Sequence, residues 1–275
     1  MHVARLLLLC LLAGALSCGA SEYGDQPSEA FVPPPPGKGD RIYEIANPAS
    51  KKKAAHGTPV SVTGAVVIAV DTFDETKNGR SAGSIYVADI GSKEPYSGIS
   101  LFNPSFVPGN LRVGPGDTLD LRGEYQENGD IPVQFAPKAF LVQLASPIGT
   151  FRFDARVPDP VDIDVRDLFD YAKGRRWLNM LVRVKDVTIA RDADGTSASG
   201  RISAGLHPRS DGPPPQDAAS KCEDPFPKTP TLVNELMDLQ PLGLKREVPI
   251  RELVGVVTFF CNLHIAPRTA ADVVL

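Results

Sequence analysis

The chain is poor in the residues that usually carry chemistry. It has four histidines and four cysteines in 275 residues, and three of the histidines, His56, His207 and His264, lie beyond the N-terminal leader, each in a different segment. No Ser-His-Asp order, glycine-rich phosphate cradle or His-Glu-x-x-His run accompanies them, so the motif-marked hydrolase, nucleotide-binding and zinc-protease classes are not supported. A hydrolase assembled from distant residues is the one catalytic reading left, and the favoured expectation is that the protein is not an enzyme and needs no cofactor. An excess of one charge is missing as well. The formal net charge is −4, and both halves are close to balance: residues 40–150 hold 10 basic and 12 acidic side chains, residues 151–275 hold 17 and 18. Strong phosphate-driven nucleic-acid binding is therefore not favoured, and a local patch is the only way to it.

A long apolar run is lacking too. Residues 1–17 carry one basic side chain, Arg5, and then an apolar stretch at 6–16, which is too short to cross a bilayer as a stable helix and has the form of a secretory signal peptide. It ends at Ala-Leu-Ser-Cys-Gly, so Cys18 resembles the lipid-acceptor cysteine of a bacterial lipoprotein, with the small Ser17 directly before it. The resemblance implies acylation (palmitate) at Cys18 and a membrane partner through that anchor. Gly19 in place of a retaining aspartate implies the outer membrane or periplasmic face. The alternative is a simple secreted protein cut after Ala20. Residues 18–40 are polar and proline-rich, with Pro33 to Pro36 in a row, as expected of an extended tether with no core of its own. The remainder suits two domains, 41–150 and 151–275.

Cysteine usage follows from that address. Cys10 leaves with the signal and Cys18 is the acylation candidate, so Cys222 and Cys261 remain, and outside the cytoplasm two such cysteines most often pair. Closing that loop contributes roughly 3–4 kcal/mol in the chain-entropy model. A metal site from Cys222, Cys261, His264 and His207 is the rival. In a strand, however, residues three apart such as Cys261 and His264 point to opposite faces.

The apolar pattern is mainly β. Residues 114–126 form a Pro-Gly-Asp turn running into a strand, with Leu119, Leu121 and Tyr125 on one face, Thr118, Asp120, Arg122 and Glu124 on the other, and Gly123 permitting a kink. Before it come a long strand with Val60, Val62, Val66, Ile68 and Val70 in one phase, then strands at 85–90 and 99–102; after it comes one at 139–144. The second half repeats the scheme. A short helix capped by Asp164 precedes a strand whose phase slips at Asp186. A return strand starts at 201–203, a helical run opens at Pro230, and strands at 248–262 and 272–275 close the set. The halves echo each other: Val60-Ser-Val and Val182-Arg-Val, Leu121-Arg-Gly123 and Leu253-Val-Gly255, Ala136-Pro-Lys138 and Ala266-Pro-Arg268 recur in order at nearly one offset, which indicates duplication.

Five strands with the long connection after the third is the order of an OB-fold, a five-stranded Greek-key barrel. On the residues Ser84-Ile-Tyr-Val-Ala-Asp89, Gly116-Asp117 with Leu121-Arg-Gly123, and Ala266-Pro-Arg268 with Asp272-Val, the chain resembles the tandem OB-fold domains of secreted bacterial lipoproteins and of extracellular nucleases. No catalytic module follows the barrels here, so the resemblance implies a non-catalytic binding or assembly module of the cell envelope, with an envelope protein or glycan as the partner.

Strand parity supplies the candidate surface. If Ile85, Val87, Ile99 and Leu101 face inward, Tyr86 and Phe102 face outward on the second and third strands, where OB-folds hold oligonucleotides or oligosaccharides. The other reading is that these rings pack against the neighbouring barrel. Lesser candidates are a calcium-like Asp192-Ala-Asp194, which also suits a hairpin turn, the acidic set Asp159, Asp162, Asp164, Asp167 and Asp170, and the basic run at 51–53.

Overall fold

The first strand changes face part-way along, and that change sets how the two halves of the chain meet. In the computed structural model the described residues are 37–75, 77–81, 83–127, 142–194, 202–215 and 228–275. Strand β1 (Thr58–Val70) pairs Val62 with Leu121 but Ala65 with Leu119, so one extra residue is accommodated at Thr63-Gly64. Gly64 sits at φ 68, a left-handed conformation that glycine adopts without penalty. Beyond the bulge the phase inverts. Ala65 and Val67 enter the core, whereas Ile68 turns outward. The single phase expected from Val60 to Val70 is thus corrected: it inverts across Gly64, and a second register shift between Val67 and Ala69 leaves Ile68 and Ala69 both outward and Val70 back against the core.

After β1 come β2 (Ile85–Asp89), β3 (Gly98–Phe102), the short β4 (Ser105–Val107), β5 (Asp117–Gln126) and β6 (Gln143–Asp154). β1, β2 and β3 form an antiparallel meander, β3 pairs in parallel with β6, and β6 returns through β5 to β1, which closes a five-stranded barrel. β6 is longer and later than the strand expected at 139–144 and runs through Thr150. Its pairing partner is the whole of β5, whose inward residues Leu119, Leu121 and Tyr125 are all in the core. Helix α1 (Ile42–Ala46) sinks Ile42, Ile45 and Ala46 into the same core. Just ahead of it, Asp40 forms a parallel bridge beside Val62 of β1, with its N–H donating to Ser61 O at 2.9 Å and its carbonyl accepting from Thr63 N at 3.0 Å.

The second sheet contains β7 (Val161–Asp162), β8 (Leu181–Asp194), β9 (Ser203–Pro208), β10 (Thr231–Val233), β11 (Pro249–Phe260), β12 (Asn262–Ala266) and β13 (Val273–Val274). Its pairings run β8–β9–β10, then a parallel step to β12, then β11 and back to β8. Three expectations are corrected here. The run after Pro230 is strand β10, whose β9 neighbour supplies the hydrogen bonds that a helix would have made internally. The fifth strand of the cycle is β12, while Val273–Val274 is an added edge on β11. The helix expected after Asp164 is a 3-10 turn, Val165–Phe169, followed by the short α2 (Tyr171–Gly174). Asp164 does cap it, accepting from Arg166 N. The phase slip in β8 also occurs: Lys185 and Asp186 both face out, and Asp186 adopts φ 51.

The internal echo acquires a structural meaning from these ladders. Val60 pairs with Gly123 and Val62 with Leu121 in the first sheet. Val182 pairs with Gly255 and Val184 with Leu253 in the second. These recurring tripeptides are therefore cross-strand partners at matching places, while Ala136-Pro-Lys138 lies outside the described residues. Residues 36–275 form one compact unit. One apolar core runs through both sheets, and a second cluster lies between their outer faces, with Ile68, Ala69, Tyr86 and Ala88 on one side and Leu181, Val254, Val256 and Ala266 on the other. β11 is consequently covered on both faces, as its apolar composition leads one to expect, with every residue from Leu253 to Phe259 buried.

Candidate functional site

Inward placement of Ile85, Val87, Ile99 and Leu101 in the core directs Tyr86 and Phe102 outward from the first barrel, as the parity requires. What each meets there differs. Tyr86 is 5% exposed, lying in the cluster between the halves, and its hydroxyl donates to Glu235 Oε1. Burial, and then the Glu235 carboxylate, push its phenol well above the usual range, so it remains a protonated donor. Phe102 is 52% exposed. Tyr86 is thus covered by the second half of the chain, and only Phe102 of the pair is open to a ligand.

The cover extends along the end of β3. Asn179, at φ 61, donates its N–H to Val257 O at 2.8 Å and its side-chain Nδ2 to Val142 O at 2.8 Å. Tyr96 N–H donates to Arg176 O at 2.7 Å. A Cβ on Gly98 would come within 2.5 Å of the Asn179 carbonyl carbon, so glycine is required there for close approach. The outer face of β1, β2 and β3 is therefore largely spent on holding the two sheets together. Outside that contact, the exposed large apolar side chains of the first half among the described residues are Tyr43 on α1, Phe102 on β3, Val107 on β4, and Ile148 and Phe151 on β6.

A second polar constellation links distant segments. Lys53 Nζ donates to Tyr125 Oη at 2.9 Å and to Glu127 Oε2, and lies 4.3 Å from the centre of the Tyr125 ring. Tyr125 Oη donates to Glu127 Oε2 at 2.8 Å, and Arg175 pairs with Glu127 Oε1. One carboxylate thus receives a lysine from before β1, a tyrosine from β5 and an arginine from the second half. Burial, with help from the Arg175 charge, draws the Lys53 amine down to about 8, and burial pushes the Tyr125 phenol up. Asp89, the last residue of the Ser84–Asp89 motif, serves the fold. Its Oδ1 accepts from Ile42 N and its Oδ2 from Tyr43 N, both at 2.9 Å, fixing the start of α1. Burial raises its carboxyl pKa against the opposing effect of those two bonds. No sequence signal joins Lys53 and Arg175 to Glu127, or Asp89 to Ile42, because these partners are far apart along the chain.

The remaining candidates disperse. Asp192 lies on β8 and accepts from Arg246 N at 2.6 Å, while the hairpin segment after Asp194 lies outside the described residues. Asp159 pairs with Arg156, Asp162 with Arg183, and Asp167 with Arg176, while Asp164 and Asp170 cap turns. Lys52 is held by Asp40 and Glu44, each at 2.8 Å. His207 lies on β9, with Nε2 buried and lacking a hydrogen-bond partner among the described residues. His264 lies on β12, where Nδ1 is bonded to Thr231 Oγ1 and Nε2 lies 2.8 Å from Phe260 O. Cys261 is buried, while Cys222 and Cys18 fall outside the described residues. Among the described residues no group of three His, Cys, Asp or Glu side chains could hold a metal ion, and no helix is long and apolar enough to cross a membrane.

No protein-family model, curated protein or solved structure matches the chain.

Proposed function

We propose that this chain is an exported, lipid-anchored, non-catalytic binding or assembly module of the cell envelope, built from two OB-fold barrels. The observation that carries the fold reading is the repeated cycle of pairings, an antiparallel three-strand meander, a parallel step from third to fifth strand, and a return through the fourth. The matched cross-strand pairs Val60–Gly123 and Val182–Gly255 support duplication of one such barrel. Export and anchoring rest on residues 1–17 and on Ser17-Cys18-Gly19, with Cys18 as the acylated residue. An oxidising location goes with a Cys222–Cys261 disulfide, which thiol titration of the unfolded, unreduced protein reads directly: two reactive thiols would refute it.

The partner is an envelope protein or glycan, held on the first barrel where Phe102, Val107 and Ile148 are exposed. An aromatic face beside aliphatic side chains suits either a sugar ring or an apolar protein surface. The test is a salt-graded binding screen of the purified protein against envelope glycans, envelope protein fractions, and single-stranded DNA and RNA. Phe102→Ala with Ile148→Ser is expected to weaken glycan or protein binding about ten-fold, roughly 1.4 kcal/mol, at an unchanged melting temperature. Binding to single strands that falls steeply with salt would replace this reading by a nucleic-acid one. For the anchor, Cys18→Ser is expected to abolish fatty-acid labelling, and retained labelling would remove Cys18 from the account.

A further inference from the structure

A cavity of about 440 Å³ opens on the second half of the chain, bounded by β7, the turn that begins at Val165, the middle of β8 and the end of β9. Its size is that of a small-ligand site. Val165 and Pro208 are buried and Ile163 packs against the core, so these three side chains give it an apolar floor. Its rim is charged, with Arg166, Arg183 and Lys185 set among Asp162, Asp164 and Asp186.

The charges are not equally free. Arg166 is engaged by Asp164 and Asp211. Arg183 reaches Asp162 at 3.3 Å and Glu252 at 3.2 Å, and Lys185 lies 3.6 Å from Asp162. Every cation on the rim thus has a carboxylate. Asp186, exposed at the rim, is the one charged side chain there with no hydrogen bond or ion pair among the described residues, and its backbone is held at φ 51. An exposed carboxylate without a protein partner, set beside an apolar floor, is free to form a charge-assisted pair with a cation on an apolar stem, whereas an anionic ligand would have to displace an existing pair.

We propose that this cavity binds a primary ammonium group carried on a short alkyl chain, with Asp186 pairing the ammonium and Ile163, Val165 and Pro208 covering the methylenes. Two sources share that chemistry, a free alkyl diamine and the side chain of a lysine in another protein. The proposal is independent of the lipid anchor and of the Phe102 surface, and it adds a ligand class on the other barrel.

The purified protein is titrated calorimetrically at low salt with 1,5-diaminopentane, with N-acetyl-lysine amide and with pentanoate. Saturable binding of an amine but not of pentanoate is expected. Tighter binding of the diamine assigns a free amine, and tighter binding of the lysine amide assigns a protein side chain. Asp186→Gly relieves the left-handed backbone while deleting the carboxylate, and Asp186→Asn keeps the shape without the charge. Both are expected to weaken amine binding at least about ten-fold, with the melting temperature unchanged or higher for Asp186→Gly. No saturable binding of either amine, or binding that survives Asp186→Gly, overturns the proposal.

Discussion

Replacing Gly98 by alanine is expected to loosen the whole molecule rather than one strand. The added Cβ would lie 2.5 Å from the carbonyl carbon of Asn179 and 2.8 Å from Met180 Cγ. Met180 can rotate away, but the Asn179 backbone is pinned by its own N–H on Val257 O and by its side chain on Val142 O. Relief requires the segment around Asn179 to withdraw. Overpacking of this kind costs about 1–3 kcal/mol, and each hydrogen bond lost adds about 1 kcal/mol, so a total loss of about 2–5 kcal/mol is expected. With a urea dependence of about 3 kcal/mol per molar, suited to a chain of this size, the midpoint should fall by about 1 M. Far-UV circular dichroism and the fluorescence of Trp177, the single tryptophan, report the two signals. A Gly98→Ala midpoint within about 0.2 M of the parent would show that the contact at Asn179 does not hold the sheets together.

Two further perturbations test other links. Asp89→Ala leaves the N–H groups of Ile42 and Tyr43 unsatisfied at the start of α1; the expected cost is about 2–4 kcal/mol in thermal or urea unfolding, and a cost under about 0.5 kcal/mol would show that solvent replaces the carboxylate. Lys53 gives a pH dependence with a definite sign. Its folded-state value of about 8 lies below the ordinary lysine value, so the folded protein holds the proton less well than the unfolded chain. The associated penalty is complete below pH 8 and is relieved as the pH rises from 8 towards the ordinary value. The urea midpoint of the parent should therefore rise relative to Lys53→Met over that interval, and a constant difference between the two proteins would contradict the assigned value.

Much of the fold is legible in the residues because the alternation of β5 and the largely apolar β11 each follow from which faces are covered. The inward set Leu119, Leu121 and Tyr125 is read without the structure. The phase inversion at Gly64 is not, since a glycine within a strand marks a possible bulge without saying that one residue has been inserted. The β10 segment misleads for a similar reason: Leu232, Leu236 and Leu239 have helical spacing and are all buried, but as a strand followed by turns. The candidate surface is legible in direction and not in outcome. Parity places Tyr86 and Phe102 outward, yet whether outside means water or the second sheet depends on contacts between segments more than a hundred residues apart, such as Tyr86 with Glu235.

The short bridge at Asp40 gives the molecule a mechanical polarity. A pull arriving along the chain at Asp40 meets backbone that runs parallel to β1 and is hydrogen-bonded to it at Ser61 and Thr63. β1 lies between β2 and β5 within the first barrel, so the load enters at a doubly paired strand and not at a sheet margin. Any load carried past Asp40 next reaches the helix start that Asp89 fixes through Ile42 N and Tyr43 N. A load on the chain at Asp40 is in this way shared among β1, its neighbours β2 and β5, and the start of α1.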